Sequence, residues 1–424
     1  MLSIDEAQRL VLCHAQALEA TQVPLAESLG MVLAEDVFSD LDSPPFDKAL
    51  MDGYALRRAD LPGGHGELDI WPETILAGQP PGSTECPIPA ETAARIMTGA
   101  PMPAGTDAVV MRERTSEIQS ETAVVGRVLV NDPHLKAGQN IMPRGTEMTR
   151  GQQVLKSGTP IGPAAAGVLS AVGRVAVSVF PRPRVAIIST GNEIVEANEN
   201  PGPGQIRNSN GPMLTALVAR AGGSPRYLGI ARDSNDELGL LASKGLQSDV
   251  LLLSGGVSAG DLDLVPGVLR EVGVREVFHK VNLKPGKPVW FGVADRQRSQ
   301  NSDLKSQISQ PTLVFGLPGN PVSVMVCFEL FVRPAIRRLM GFADAGPKTV
   351  WATLDEERSS KSDRPTYWPA WLEPNDNGLC VRLVAWKGSP DLRATTEANA
   401  FAIFPPGDHQ YRPGDRVQVL CTEY

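Results

Sequence analysis

Between Arg184 and Gly341 the chain alternates short apolar runs, glycine-rich or acidic turns and helical stretches, and this alternation constrains the fold more than any other feature. Strand-like Arg184–Ser189 (RVAIIS) runs into a Gly turn, then a helix over about Pro212–Arg220 that ends at Gly222-Gly223. Tyr227–Ile230 leads to Asp233 and a second helix, and Val250–Leu253 leads to Ser-Gly-Gly and a third helix near Val265–Val272. Thr312–Phe315 leads to Gly-Leu-Pro-Gly-Asn-Pro and a long apolar helix from Val322 onward. Repeated strand–loop–helix units predict a parallel sheet covered on both faces. Such sheets bind ligands at the carboxyl ends of their strands.

The flanking regions differ. From Pro45 to Asn140 the segments are short, β-leaning and broken by Pro and Gly, which predicts a small irregular β domain. Stretches on either side, near Val23–Asp42 and Arg144–Pro181, are read as pairing with each other, so that the β domain is an insertion. After Pro347, strand-like Leu379–Trp386, Ala400–Phe404 and Arg416–Leu420 predict a compact C-terminal β domain. The expected limits are 21–44 with 144–180, 45–143, 1–20 with 181–342, and 346–424. The polar stretch Asp295–Gln310, between strand-like Pro288–Val293 and Thr312–Phe315, is read as an exposed loop insertion. Ser3 and Glu6 form a capping box for an N-terminal helix that buries Ile4, Ala7, Val11, Ala15 and Leu18, which is no signal peptide.

A formal net charge of -8 gives little support to nucleic-acid binding, although a small anionic ligand needs only a few local cations. The five cysteines (Cys13, Cys86, Cys327, Cys380 and Cys421) form no C-x-x-C pair. That disfavours zinc or a disulfide framework and fits a reducing, cytoplasmic compartment. No apolar run is long enough to span a bilayer.

The chain has no P-loop and no strand-anchored G-x-G-x-x-G. Ser189-Thr190-Gly191-Asn192-Glu193 reads either as a turn with a solvated Glu or as a backbone cradle for phosphate. In Ser254-Gly255-Gly256-Val257-Ser258-Ala259-Gly260-Asp261-Leu262-Asp263, helix capping by an aspartate competes with Mg²⁺ held by carboxylates and ligand phosphates. Glu193 and Asp233, at the ends of neighbouring strands, favour the metal. Lys284-Pro285-Gly286-Lys287-Pro288 is a charged turn or, beside acidic metal ligands, an oxyanion or anhydride site. In Gly316-Leu317-Pro318-Gly319-Asn320-Pro321-Val322-Ser323, Pro321 fits a first helical position and Asn320 its cap. Asp52-Gly53 reads as a turn with an exposed carboxylate.

Together these strings resemble the molybdopterin molybdenumtransferases, the bacterial MoeA proteins and the E domain of gephyrin-type proteins. The resemblance rests on MDGYA (Met51–Ala55), IMTGAPMPAGTDAVV (Ile96–Val110), STGNE (Ser189–Glu193), NSN (Asn208–Asn210), SGGVSAGDLD (Ser254–Asp263), KPGKP (Lys284–Pro288) and GLPGNPVS (Gly316–Ser323), with Gly388-Ser389 and Ala398-Asn399 at family-like spacing. It implies an elongated, four-part α/β protein with a central Mog-like molybdopterin-binding domain and flanking β-rich domains. It also implies a homodimer with a cleft shared between subunits. The implied reaction takes adenylyl-molybdopterin and molybdate and gives molybdenum cofactor and AMP with Mg²⁺, and a molybdopterin adenylyltransferase is a candidate partner.

By position the resemblance assigns Glu193, Asp233, Asp261 and Asp263 to Mg²⁺ or the phosphate end. Ser189, Thr190, Gly191, Asn208, Ser254, Gly255 and Gly256 would bind the ligand. Lys284, Lys287 and Ser323 would hold molybdate or phosphate, with Arg364 and Ser389 from the C-terminal domain and Pro318 and Pro321 shaping the floor. Asp52, Thr98 and Glu147 would come from the partner side. The chain departs from the family at Ala49, Leu264, Met142, Gly145-Thr146-Glu147, Pro369 and Pro390-Asp391. Met142 and Pro369 keep a second reading open, a non-catalytic or tungstate-preferring molybdopterin-binding paralog, and the resemblance to gephyrin-type E domains, which also bind receptor peptides, keeps a third, a scaffold.

Overall fold

The computed structural model describes residues 1–82, 86–118, 126–257, 264–295, 310–376 and 378–422. The chain divides into two compact units, 1–35 with 157–163 and 176–424, and 36–156 with 164–175.

The first unit contains the α/β body. Its helix α1 (Ile4–His14) starts with the expected capping box, Ser3 accepting from the Glu6 N–H and Glu6 from the Ser3 N–H. The remaining elements are β1 (Arg184–Thr190), α2 (Asn210–Arg220), β2 (Ser224–Ala231), α3 (Asn235–Gly245), β3 (Val250–Ser254), α4 (Leu264–Glu271), β4 (Arg275–His279), β5 (Trp290–Ala294), β6 (Thr312–Leu317), α5 (Pro321–Cys327) and α6 (Arg333–Leu339). The sheet order is β2-β1-β3-β6-β5-β4. Only β2, β1, β3 and β6 are parallel; β5 runs antiparallel to both β6 and β4. The expected parallel sheet is thus present in its four-strand body, extended at one edge by the antiparallel strands β5 and β4. No helix separates β4 from β5, so the chain doubles back, as only antiparallel strands allow.

Both faces of the sheet are covered, and the period of two along each strand sorts the side chains. Val185, Ile187, Val250, Leu252, Leu313 and Phe315 pack under α1, α2, α5 and α6. Ala186, Ile188, Leu251, Leu253 and Val314 pack under α3 and α4. The apolar helix predicted from Val322 is interrupted: α5 and α6 are joined by a π-helical turn, Phe328–Val332. In that turn buried Glu329 pairs with Arg333 at 2.6 Å and with Arg220 of α2 at 2.7 Å. Burial pushes the Glu329 carboxyl up, and the Arg333 and Arg220 guanidiniums pull against that rise.

The C-terminal part of this unit is a closed barrel of Thr349–Leu354, Gly378–Leu383, Thr366–Asn375, Ala400–Phe404 and Arg416–Cys421. Thr21–Pro24 and Val32–Leu33 pair with Ala176–Phe180. Of the expected loop Asp295–Gln310, residues 296–309 lie outside the described residues.

The second unit holds a six-stranded sheet in the order Ala108–Met111, Gly53–Leu56, Thr92–Ile96, His65–Ile70, Arg127–Asn131, Thr115–Ile118. Its core is Tyr54, Leu56, Leu68, Ala93, Val110 and Val128 with their neighbours. No helix among the described residues is long and apolar enough to cross a membrane.

Candidate functional site

The KPGKP segment connects β4 to β5. Pro285 and Gly286 are buried, so the flanking Lys284 and Lys287 are turned outward. The segment is clamped to the barrel: the Lys284 N–H donates to the Pro365 carbonyl at 2.9 Å, and the Tyr367 N–H donates to the Lys284 carbonyl at 2.8 Å. Gly286 has φ +116, and a Cβ there would lie 2.6 Å from the Cys327 Sγ of α5. The loop thus sits flush on the helix because it carries glycine.

Lys284, Lys287, Pro318, Ser323, Arg364 and Ser389 line one cavity of ≈ 530 Å³, with Trp368 and Trp386 on its wall. Asn320 occupies the residue before α5 without capping it by side chain. The expected cap fails because its Nδ2 donates instead to the Ser389 Oγ at 2.9 Å, joining the α5 turn to the Gly388-Ser389 loop. The Val322 N–H donates to the Ser389 carbonyl at 3.1 Å. Pro321 takes the expected first helical position of α5. Arg364 pairs with Asp363 at 3.1 Å, whereas neither lysine makes an ion pair among the described residues. Two unpaired ammonium groups and a guanidinium around one hollow attract an oxyanion.

Of the strand-end loops, the one after β3 adjoins the turn that lines this cavity, through Asn210, whose Nδ2 donates to the Gly319 carbonyl at 2.7 Å, whereas Glu193 and Asp233 do not line the cavity. Asn192 and Asp233 bind each other reciprocally: the Asn192 N–H donates to the Asp233 Oδ2 at 3.2 Å, and the Asp233 N–H to the Asn192 Oδ1 at 3.1 Å. The Glu193 carboxylate folds over Gly191, where an added Cβ would lie 2.5 Å from its Oε2. Buried Ser189 donates to the Asn208 Oδ1, which also accepts from the Gly211 N–H. Asn208 in turn donates to Tyr227, whose hydroxyl donates to Glu196. Thr190 donates to the Ser254 carbonyl, and the Gly255 N–H to the Leu317 carbonyl at 3.0 Å. Gly255 and Gly256 have φ +102 and +64, and a Cβ on Gly255 would lie 2.6 Å from the Thr190 carbonyl oxygen.

Glu193 and Asp233 are both exposed at the ends of adjacent strands β1 and β2. Two hard oxygen donors fit Mg²⁺, which takes one or two carboxylates and completes its shell with water and ligand phosphate. Asp261 and Asp263 lie outside the described residues, as does Ser258. Among the described residues no group of three potential ligands forms a metal site.

In the second unit, antiparallel pairing sets Gly53 opposite Ile96, which brings Asp52 beside the turn that follows the second strand. The Thr98 N–H and hydroxyl both donate to the Asp52 Oδ1 at 2.7 Å. Those bonds, the backbone one foremost, hold the exposed Asp52 carboxyl below its ordinary range, with a smaller contribution from Arg112. A Cβ on Gly53 would run into the Val110 carbonyl. Glu147 accepts from Ser43 at 2.7 Å and pairs with Lys48 at 3.5 Å.

Sequence reasoning missed Trp368 and Trp386, which meet edge to face at 4.8 Å, and the Asn320–Ser389 bond. An Asn before a Pro at a helix start was the only local signal for the latter.

Family models match along nearly the whole chain: the MoeA N-terminal region (domain I and II) at residues 2–173, a probable molybdopterin binding domain at 186–338, and the MoeA C-terminal region (domain IV) at 352–421. A molybdopterin molybdenumtransferase of Staphylococcus aureus is 32% identical over 426 residues, spanning 100% of this chain and 96% of the relative. That of Staphylococcus epidermidis is 33% identical over 423 residues, with the same coverage of 100% and 96%. A solved molybdopterin biosynthesis MoeA protein from Pyrococcus horikoshii superposes with a TM-score of 0.74 at 28% identity, covering 99% of this chain and 100% of that one. With a mostly parallel molybdopterin-binding sheet, a β-barrel and full-length relatives of one activity, the chain belongs to the MoeA family, the molybdopterin molybdenumtransferases.

Proposed function

We propose that this enzyme transfers molybdenum from molybdate to adenylyl-molybdopterin and releases AMP, with the oxyanion held by Lys284, Lys287 and Arg364. The observation that carries this reading is the ≈ 530 Å³ cavity lined by Lys284, Lys287, Arg364, Ser323 and Ser389, where neither lysine makes an ion pair among the described residues. Molybdate is a tetrahedral dianion, and these donors match it in charge and hydrogen-bonding sense.

The adenylyl-molybdopterin lies across the carboxyl ends of β1, β3 and β6. Gly255, where a Cβ would lie 2.6 Å from the Thr190 carbonyl oxygen, lets the β1 and β3 end loops approach closely without side-chain bulk between them and the ligand. Glu193, Asp233 and Asp263 would hold Mg²⁺, which would supply charge neutralisation at the phosphoanhydride. Cleavage then proceeds by attack of water on phosphorus with AMP or pterin phosphate leaving, promoted by fixed geometry and by the lysine charges. On the pterin's own dithiolene, two Mo–S bonds form as two Mo–O bonds of molybdate break, the two oxygens leaving as water with the two thiol protons and two protons from solvent, so the five free cysteines of the chain have no part in capture. Asp52, Thr98 and Glu147 act from a second copy of the chain in a cytoplasmic homodimer, Thr98 holding the Asp52 carboxylate charged and oriented.

Calorimetric titration with molybdate tests the cavity. Lys287→Gln and Lys284→Gln are each expected to weaken binding at least tenfold while leaving the melting temperature near that of the parent. Unaltered binding in both variants removes the cavity from the oxyanion role. Tungstate titrated in parallel measures the oxyanion preference.

A further inference from the structure

Resting on the reading above, we propose that Asn210 is a positioning residue that locks the Ser254-Gly255 loop to the Pro318-Gly319 turn and so sets the spacing of the ligand-binding strand ends. Asn210 is the first residue of α2 and is 8% exposed. Its Nδ2 donates to the Ser254 Oγ at 2.8 Å and to the Gly319 carbonyl at 2.7 Å. One amide group thus ties the end of β3 to the turn after β6. The orientation of the amide is fixed by chemistry: the Gly319 carbonyl can only accept, so the nitrogen must face it.

That orientation has a cost. Among the described residues, the buried Asn210 Oδ1 finds no hydrogen-bond donor. A buried carbonyl oxygen that leaves water without a partner destabilises the folded state. Asn208, two residues earlier, shows the contrast: its Oδ1 accepts from Ser189 and from the Gly211 N–H, and its Nδ2 donates to Tyr227. An apolar side chain at position 210 would avoid the orphaned oxygen and fill the same space. What it would lose is the tie between two loops. Among the described residues the other hydrogen bond between these loops is a backbone one, from the Gly255 N–H to the Leu317 carbonyl. An orphaned acceptor retained beside two loop-tying bonds is the signature of a residue kept for geometry rather than for stability.

Asn210→Leu and Asn210→Ala in the full chain test this. Both are expected to melt within a few degrees of the parent. Both should raise the KM for adenylyl-molybdopterin in AMP release at least tenfold, with kcat changing less. In the free protein, deuterium uptake should quicken in segments 254–257 and 317–320 and nowhere else in the sheet. Parental KM with parental exchange in these segments overturns the proposal. So does loss of folding in both variants, which would make Asn210 a purely structural residue. A parent protein that releases no AMP would instead overturn the proposed function, and exchange in the free protein still reads the tie independently.

Discussion

Replacing Gly286 by alanine tests how the lysine loop is held. The added Cβ meets two obstacles. The backbone at φ +116 lies where a side chain is strained, which costs roughly 1–2 kcal/mol. The Cβ also arrives 2.6 Å from the Cys327 Sγ and 3.0 Å from the Leu283 Cδ1. Leu283 can yield at its flexible tip. The Cys327 Sγ is a one-atom side-chain tip on buried α5 beneath the loop, so it has less room to turn aside. Overpacking of this kind costs about 1–3 kcal/mol. Gly286→Ala should therefore lower the urea-derived stability of its unit by about 2–5 kcal/mol in sum. It should also lift the loop, moving Lys284 and Lys287 and weakening molybdate binding. Cys327→Ala removes the obstructing sulfur. The double variant should recover the overpacking part, a coupling of about 1–3 kcal/mol, and retain only the backbone strain. The four proteins are compared by urea unfolding and molybdate calorimetry. Additive losses in the double variant would refute the contact with Cys327. Parental stability and binding in Gly286→Ala would refute the whole argument about the loop.

Three further outcomes follow from the same geometry. Glu329→Ala leaves the Arg333 and Arg220 guanidiniums without their buried counter-charge, so it should cost about 3–5 kcal/mol in urea unfolding, and a loss under about 1 kcal/mol would contradict the pairing. Glu117 in the second unit is held at about 2, first by the Arg95 guanidinium and then by the Tyr54 hydroxyl. Its folded value is depressed, so the stability it adds is present above its ordinary 4.5 and is lost as pH falls from there toward about 2. Because its side chain is 48% exposed, solvent screening limits the effect to about 1 kcal/mol or less. The stability gap between parent and Glu117→Gln should therefore narrow between pH 7 and pH 3, and a constant gap would contradict the assignment. Asp233→Asn should raise the Mg²⁺ concentration needed for half-maximal AMP release at least tenfold without moving the melting temperature; an unchanged requirement removes Asp233 from the metal.

The α/β body was legible because its strands are nearly continuous apolar runs ended by glycine or acid, a pattern that strands buried on both faces produce. The reversal at β5 was not, since Trp290–Ala294 is as apolar as its parallel neighbours and strand direction depends on what joins the strands. Lys284, Lys287, Ser323 and Ser389 were legible as candidates by resemblance, and the structure brings all four to one cavity. The aromatic wall was hidden because Trp368 and Trp386 reach the cavity through barrel closure, which no local spacing records. The bond between Thr98 and Asp52 spans 46 positions and follows from the pairing of Gly53 with Ile96, which depends on sheet register. Asn320 misled the reading of its own role: its place before Pro321 suits a cap, but the nearby Ser389 hydroxyl competes for its side chain and wins.

The most direct measurement is AMP release from adenylyl-molybdopterin by the purified chain, with molybdate and Mg²⁺ each present or withheld. Rapid release is expected only with both, with a steep loss in the Lys284→Gln/Lys287→Gln double variant. Release that ignores molybdate, or that survives removal of both lysines, would contradict the placement of the oxyanion among these cations.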